Sequence, residues 1–431
     1  MKKIYFLLFF CFFAFQAQAT TYYVKTGGNN SSAGTSWSTA KADLQNAINA
    51  SSAGDEIWIA AGTYKPTLMP TGMTGTTARD KSFYLDKNIG IYGGFAGTET
   101  LLSQRNSASN PVILSGDIGT VGSSSDNCYH VFISEGLTSA AVLDGVTITG
   151  GNANGSGQIS FSGRWFVRNV GGGMLYQAPT SPTLTNVTIS GNTAEYGGGI
   201  FSFSSPTLTN VTISGNTADN GGGMCNSFGA SPTLTNVTIS GNTADSNGGG
   251  IYNYSSSSSP TITNTLFWGN KKGTSSTVAG ADIYNSSSTT TITYSLVQLA
   301  SSSYTSGNSN ALTSATNMVY ATDPLFINAS DPDGADNIWM TADDGLRFFG
   351  NSPAYGAGSN SGAPSTDITG ASRASSPSMG AYEGFSYSRY FVDASATGTN
   401  TGSSWTNAYV ALQDAINASS AGDEIWIAAG T

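Results

Sequence analysis

One segment of the sequence combines arginine and aromatic side chains outside the regular pattern of its neighbours. Residues 153–170, ANGSGQISFSGRWFVRNV, contain Arg164, Trp165, Phe166 and Arg168. A tryptophan ring that projects from a loop stacks on sugar rings, and a guanidinium group hydrogen-bonds acidic groups. We therefore predict a ligand-binding loop at these four residues. A loop folded over the flank of the protein, with Trp165 partly buried, is the alternative.

A second segment concentrates carboxylates. Residues 331–345, DPDGADNIWMTADDG, hold five aspartates that crowd one loop: Asp331, Asp333, Asp336, Asp343 and Asp344. Carboxylate oxygens are ligands that calcium prefers, so these residues predict a calcium site. The spacing departs from that of an EF-hand loop, which needs alternating aspartates and a closing glutamate. A loop stabilised by Asx turns is the alternative.

The rest of the chain offers little that catalysis requires. Each regular repeat contributes a single carboxylate, at Glu195, Asp219 or Asp245, without a basic partner in the repeat. The only histidine is His130, in DNCYHVFIS, where we expect it to pack or be solvated beside a strand. No phosphate-binding loop, zinc-ligand spacing or nucleophile elbow occurs. The sequence therefore identifies no catalytic residues.

Short internal repeats determine the predicted architecture. The stretch SPTLTNVTISGNTA occurs three times without change, and Asn186, Asn210, Asn236 and Asn264 follow one another at steps of 24, 26 and 28 residues. Such periods indicate a solenoid. Leucine-rich repeats have a similar period but need recurrent leucines, whereas these copies supply the β-branched residues that suit strands. We predict an all-β fold, a right-handed parallel β-helix solenoid with a short N-terminal capping helix.

Stacked coils place equivalent residues over one another. We expect Leu184 to lie over Leu208 and Leu234, while Thr188 and Ser190 face solvent. A second inner column is expected at Ile189, Ile213, Ile239 and Phe267. The asparagines at the corners are expected to stack through their amides. About ten coils are expected between residues 55 and 299.

A longer repeat divides the chain. Residues 390–431 match residues 22–63 without a gap, with a period of 405 − 37 = 368 between Trp405 and Trp37. We predict a capped β-helix over residues 20–300, an irregular closing module over 301–388, and a truncated start of a second module over 389–431. In the cap, Leu44, Ala47 and Ile48 share one face of a helix.

The N-terminal sequence indicates where the protein is located, and the net charge limits its partners. Residues 1–19, MKKIYFLLFFCFFAFQAQA, have the layout of a secretory signal peptide, and their apolar run is too short to span a bilayer. Removing Lys2 and Lys3 leaves 14 basic and 26 acidic residues, hence 14 − 26 = −12 charges. This charge argues against nucleic acid and anionic membranes as partners. Cys128 and Cys225 are expected to be free, buried thiols, with a disulfide between them in an oxidising compartment as the alternative.

Several motifs between residues 22 and 384 resemble a known family. The stretches IYGGFAGTET, PVILSGDI and AVLDGVTITGGNA and the recurrent GGGM, GGGI and ISGNTA resemble bacterial β-helix proteins of the pectin-lyase-like fold. The GG and Asn signatures are similar to polymorphic outer membrane protein repeats. Residues 351–384 resemble the choice-of-anchor-type module that precedes a surface-sorting tail, although Tyr355 replaces the usual Asp. The resemblance implies a bacterial protein that is secreted or on the outer cell surface, often with an adhesive role.

These observations leave three functions open. The first is a non-enzymatic adhesin or structural protein that binds polysaccharides or neighbouring cell surfaces. The second is a polysaccharide lyase or glycoside hydrolase of the same fold, with its site around residues 164–168 and acids such as Asp117 or Asp144. Lyase chemistry of this kind needs clustered carboxylates that hold calcium beside a basic residue. The third is a passive surface spacer.

Overall fold

Parallel strands that return at regular intervals build most of this chain. The computed structural model describes residues 19–70, 72–73, 77–161, 164–255, 257–304 and 311–430, so the signal-peptide prediction lies almost wholly outside the described residues. The α-helices are Leu44–Ala50 and Leu412–Ala418. The 3₁₀-helices are Trp37–Thr39, Ala78–Asp80, Leu102–Gln104, Ser124–Asp126 and Ser301–Tyr304.

One long sheet runs the length of the solenoid, and its strands are parallel and follow chain order along its main path. We call it the first sheet. Its strands are Thr21–Val24, Glu56–Ala60, Gly62–Tyr64, Gly90–Phe95, Val112–Ser115, Val142–Thr149, Thr183–Ser190, Thr207–Ser214, Thr233–Ser240, Thr261–Thr263, Leu266–Trp268, Thr291–Thr293, Leu296–Val297, Thr313–Thr316 and Val319–Tyr320. The sheet therefore continues beyond residue 300, the predicted end of the solenoid.

Two further parallel sheets close the coils, the third of them only between residues 152 and 272. The second sheet consists of Phe83–Leu85, Phe132–Glu135, Met174–Gln177, Ile200–Ser202, Met224–Ser227, Ile251–Tyr254 and Ile283–Ser286. The third consists of Asn152–Ala153, Thr193–Tyr196, Thr217–Asn220, Thr243–Asn247 and Lys271–Lys272. The five coils between residues 142 and 286 contribute a strand to each sheet in turn, which makes the solenoid a parallel β-helix.

The predicted columns are confirmed. Leu184 pairs in register with Leu208, which pairs with Leu234. The second column, Ile189, Ile213, Ile239 and Phe267, is likewise in register and fully buried. Between these columns the chain bends at Asn186, whose φ of 49° is left-handed, and the equivalent asparagines share this conformation. Asparagine tolerates such a bend, and the bend directs residues three apart to the same interior.

A buried ladder of asparagine amides joins successive coils. Asn192, Asn216, Asn242 and Asn270 are fully buried. Asn192 Nδ2 donates to Asn216 Oδ1 at 3.0 Å, and Asn216 Nδ2 donates to Asn242 Oδ1 at 3.0 Å. The same amides donate to backbone carbonyl groups, including that of Ile189 at 2.9 Å from Asn216. The ladder therefore satisfies polar backbone groups that would otherwise be buried without partners.

The N-terminal cap has the predicted helical face. Leu44, Ala47 and Ile48 are buried in the main core. Gln45 fixes the helix to the second sheet, because its side chain donates to the carbonyl of Tyr84 at 3.1 Å and accepts from the amide of Tyr84 at 2.7 Å. The prediction of free, buried thiols at the two described cysteines is also confirmed.

The segment after the last coil folds back along the flank of the β-helix. Asn210 and Asn236 donate to the carbonyls of Thr366 and Ser378 at 2.7 and 3.0 Å. Ala381 N donates to the hydroxyl of Thr238 at 2.9 Å. Because this module covers the outer face of the first sheet, Thr188 is buried there. Ser190 is buried as well, so the predicted solvent exposure of Thr188 and Ser190 is wrong.

The C-terminal repeat reproduces the local structure of the cap. The helix Leu412–Ala418 and the parallel strands Arg389–Val392 and Glu424–Ile427 correspond to the helix and first two strands of the chain. Arg389 anchors this repeat, since its guanidinium lies 3.7 Å from the Trp426 ring centroid and 4.2 Å from that of Phe349. No helix in the described ranges is both long and apolar enough to cross a membrane.

Candidate functional site on the second sheet

The outer side of the second sheet is apolar along its length. Successive residues of a strand point to opposite sides of the sheet, so the residue after each inward residue points outward. The outward residues Phe201, Cys225 and Tyr252 of neighbouring strands pair in register. The complete outward column is Tyr84, Ile133, Leu175, Phe201, Cys225, Tyr252 and Tyr284. An outward apolar column must be covered by another segment or left as an exposed patch.

An antiparallel hairpin covers the N-terminal half of this column. It consists of Gln158–Phe161 and Arg164–Val167, within the segment that the sequence marks as irregular. Phe166 is only 1% exposed and belongs to one apolar cluster with Tyr84, Ile133 and Leu175. Phe166 is therefore unavailable to a ligand, which corrects the prediction for this residue.

The remaining predicted residues of the hairpin divide by environment. Trp165 is 58% exposed, on the side of the strand opposite to Phe166. Arg168 donates from Nε and Nη2 to the two carboxylate oxygens of Asp80, each at 2.8 Å, and these hydrogen bonds raise the pKa of Arg168. Its guanidinium is thus engaged by Asp80, and a ligand contact by Arg168 stays a prediction. The side chain of Arg164 lies outside the described residues.

In the C-terminal half of the column, Phe201, Cys225 and Tyr252 are buried, and exposed aromatic rings lie beside them. Phe228 is 76% exposed and Tyr254 is 44% exposed. The ring centroids of Phe203 and Phe228 are 5.5 Å apart, and those of Tyr196 and Tyr254 are 6.1 Å apart. We define the aromatic face as Trp165, Tyr196, Phe203, Phe228, Tyr254 and Tyr284.

Trp165 is continuous with this surface. Gln177 Nε2 donates to the carbonyl of Trp165 at 3.1 Å. Gln177 ends the strand Met174–Gln177, which pairs with Ile200–Ser202, the strand that Phe203 directly follows. The backbone of Trp165 therefore lies about one coil from that of Phe203, so the hairpin borders the other rings of the aromatic face.

Phe228 occupies an unfavourable backbone conformation. Its φ is 52°, and the two later coils have Ser255 and Ser287 at the same corner, also with positive φ. A bulky side chain in the left-handed region is an outlier that costs about 1–3 kcal/mol, and such outliers cluster at functional sites. The exposed Phe228 ring, held in this conformation, is therefore a candidate ligand contact.

A row of carboxylates borders the aromatic face. Glu195, Asp219 and Asp245 lie at equivalent places in neighbouring strands of the third sheet and define the acidic row. Asn169 Nδ2 donates to Glu195 Oε2. Burial raises the pKa of Asp219, and the negative charges of Asp245 and Glu195 add to this effect. A groove of about 570 Å³ runs beside the row, lined by residues 154–157 among others.

The acids proposed for a catalytic site are not assembled around the hairpin. Asp144 lies in the first sheet, where Arg105 pairs with both of its carboxylate oxygens at 2.9 and 2.6 Å. Asp117 faces Lys65 at 3.8 Å. His130 is buried, its Nδ1 is 3.0 Å from the carbonyl of Gly171, and burial lowers its pKa to about 4. Asp144, Asp117 and His130 therefore each contact a different partner.

The predicted calcium loop contains side chains in different environments. Asp344 is buried and accepts from Met340 N and Tyr382 Oη at 2.9 and 2.8 Å. Asp343 accepts from the hydroxyl of Thr341 at 2.7 Å, and Asp336 accepts from Ile338 N in an Asx turn. Within the described ranges, no group of three or more acidic, histidine or cysteine side chains is placed to hold a metal ion. Calcium binding by Asp331, Asp333, Asp336, Asp343 and Asp344 stays a prediction.

The comparison with protein-family models agrees with the sheet topology. Residues 120–319 match the family model described as "Right handed beta helix region". A search of curated proteins found no match. Among solved structures, the chain is similar to the crystal structure of pectate lyase Pel9A, with a TM-score of 0.43 and 15% identity over 85% of this chain and 96% of that chain. The fold is a right-handed parallel β-helix.

Sequence reasoning found Trp165 but missed the rest of the aromatic face. In the stretch IFSF, at residues 200–203, Phe201 and Phe203 alternate with the residues that point inward. This alternation indicates two outward aromatic rings. Extending that alternation to YNY at residues 252–254 gives two more outward rings. The sequence does not reveal that these rings are exposed, because their exposure depends on where the hairpin ends.

Proposed function

We propose that this protein is a secreted or cell-surface adhesin that binds glycans, without catalysis, through the aromatic face. The observation that carries the proposal is Phe228, a ring that is 76% exposed and held at a φ of 52°. Bacterial surface location rests on the N-terminal sequence and on the resemblance described above.

The geometry of the β-helix suits a linear ligand. Neighbouring coils are about 4.8 Å apart, so rings from successive coils line up along the solenoid axis. Each ring offers a flat apolar surface to the C–H face of a sugar, and apolar burial stabilises by about 25 cal/mol per Å². Several rings in a row therefore give useful affinity for a polymer although each contact is weak.

Glycan binding by the purified chain tests this function. We expect the wild-type chain to bind a subset of polysaccharides on an array and the double variant Phe228→Ala/Tyr254→Ala to lose at least tenfold in affinity. Trp405→Ala is the matched control, because Trp405 is also an exposed aromatic residue, 43% accessible, but belongs to the C-terminal repeat. Binding that is equal in all three proteins contradicts the proposal.

The same panel separates the competing functions. A polysaccharide lyase or hydrolase releases unsaturated products or new reducing ends during incubation, whereas an adhesin releases neither. A passive spacer binds neither the array nor whole cells. Unchanged melting temperatures of the variants show that altered binding is not the result of unfolding.

A further inference from the structure

We propose that the glycan carries protonated amines, so that the aromatic face packs against its sugar rings while the acidic row binds its ammonium groups. This inference rests on the proposed function and names the class of ligand, a cationic amino-sugar polymer. It depends on the contact between the aromatic face and the acidic row and on the charges around them.

The two surfaces meet at Tyr196. This residue directly follows Glu195 in the strand Thr193–Tyr196, and its ring centroid lies 6.1 Å from that of Tyr254. Burial raises the pKa of Tyr196, and the negative charges of Glu195 and Asp219 contribute to the rise. Those charges therefore act directly on a ring of the aromatic face, and a ligand on the rings lies within reach of the carboxylates.

The acidic row is not ion-paired within the described residues, although the strand Lys271–Lys272 adjoins the strand that holds Asp245. Elsewhere acids are neutralised by arginine, as in the pair of Asp144 with Arg105 at 2.6 Å. Across the part of the chain that the structure describes, no lysine or arginine forms a salt bridge with Glu195, Asp219 or Asp245. Carboxylates at the spacing of successive coils repel one another, and a bound cation relieves that repulsion.

An ammonium group already lies against one ring of the aromatic face. Lys272 Nζ is 5.3 Å from the centroid of the Tyr284 ring, within the range of a cation–π contact. The ligand's amines are expected to use the other rings and the acidic row in the same way. A uronic-acid polymer, by contrast, brings carboxylates toward carboxylates and is repelled.

The charge and the sugar contacts are separable by experiment. The probes are a β-1,4-linked glucosamine hexamer, its fully N-acetylated counterpart and a galacturonic acid hexamer, each titrated calorimetrically into the full chain. The pH is set between the pKa values of the carboxylates and of the amines, checked by titrating the free hexamer. We expect the glucosamine hexamer to bind about tenfold more tightly than the acetylated one, with an advantage that shrinks as salt is added. We expect no binding of the galacturonic acid hexamer.

Matched variants assign each contribution. The triple variant Glu195→Gln/Asp219→Asn/Asp245→Asn is expected to lose the preference for free amines while retaining its affinity for the acetylated hexamer. Phe228→Ala/Tyr254→Ala is expected to weaken both. Asp393→Asn, which removes one carboxylate from the C-terminal repeat, is expected to change neither.

The outcomes distinguish this inference from the proposed function. Equal or tighter binding of the acetylated hexamer overturns the inference and leaves glycan binding intact. Binding of a lysine hexapeptide as tightly as the glucosamine hexamer, unaffected by the aromatic substitutions, also overturns it, since the row then captures any polycation. If no saccharide binds, on the array or in solution, both the inference and the proposed function are overturned.

Discussion

Arg373 donates a hydrogen bond of 2.8 Å from Nη2 to Oδ1 of Asn210, across 163 residues of sequence. The same guanidinium pairs with Glu383 at 3.1 Å, and both side chains of this ion pair are almost completely buried. A corner asparagine of the β-helix thereby becomes an attachment point for the closing module. The contact joins two regions that the sequence treats as independent.

We expect Arg373→Ala to destabilise the protein by about 3–5 kcal/mol, because it leaves Glu383 buried without its partner. Urea unfolding measures this effect. The control is Lys65→Ala, whose partner Asp117 is 3.8 Å away and whose side chain is 35% exposed, so its loss is expected to cost less than about 1 kcal/mol. Similar costs for the two substitutions speak against a buried ion pair as the anchor.

Ile59 and Ile427 provide a matched pair for core packing. They occupy the same place in identical sequence, yet Ile59 is 0% exposed and Ile427 is 58% exposed. Ile59→Ala is expected to cost about 2–5 kcal/mol through lost burial and a residual cavity. Ile427→Ala is expected to change stability by less than about 0.5 kcal/mol. Thermal unfolding of both variants checks the difference. Equal shifts in melting temperature contradict the different burial of Ile59 and Ile427.

The asparagine ladder is expected to be sensitive to truncation. Asn216→Ala removes the donor to the carbonyls of Ile189 and Ser214, at 2.9 and 3.2 Å, and leaves them buried. Each such orphaned group costs about 1–3 kcal/mol. Asn220→Ala is the control, since this half-buried residue accepts one bond of 3.2 Å from Asn247. Equilibrium denaturation should show a clearly larger loss for Asn216, and a smaller one refutes the role of the ladder.

Asp344 is expected to make stability depend on pH. Burial raises its pKa from an ordinary value to about 7, although hydrogen bonds such as that from Tyr382 act in the opposite direction. Between pH about 4 and about 7 the folded state therefore holds a proton that the unfolded state lacks, so stability falls as the pH rises. The loss amounts to at most about 4 kcal/mol above pH 7.

The variant Asp344→Asn isolates this contribution. It is expected to match the wild type near pH 4 and to be more stable above pH 7, as measured by urea unfolding across that range. Asp393→Asn, in the C-terminal repeat, is expected to keep the wild-type slope. A wild type and an Asp344→Asn variant with parallel pH profiles contradict the raised pKa.

The candidate site was only partly predictable. Trp165 departs from the repeat and was identified from its residue type, but its neighbours Phe166 and Arg168 have roles inside the fold. Phe166 covers the outer column of the second sheet, and Arg168 is held by Asp80 at 2.8 Å. The hairpin covers only half of the sheet. The alternation of aromatic residues in the sequence is the same for rings that the hairpin covers and for rings that stay exposed.

The sequence by itself determined the stacking. Each coil repeats the residues of the coil before it, so Leu184, Leu208 and Leu234 find one another through nearest-neighbour pairing alone. The same local rule gives residues 49–60 and 417–428 the same helix end and strand.

Only the tertiary structure decided which of these surfaces are covered. Thr188 is buried because a module from far along the chain lies over it, whereas Ile427 is exposed although its sequence twin Ile59 is fully buried. Periodicity fixes how adjacent coils pair, since that pairing is local. Burial of an outer face depends on contacts between distant segments, and a repeat that is identical in every copy carries no information about them.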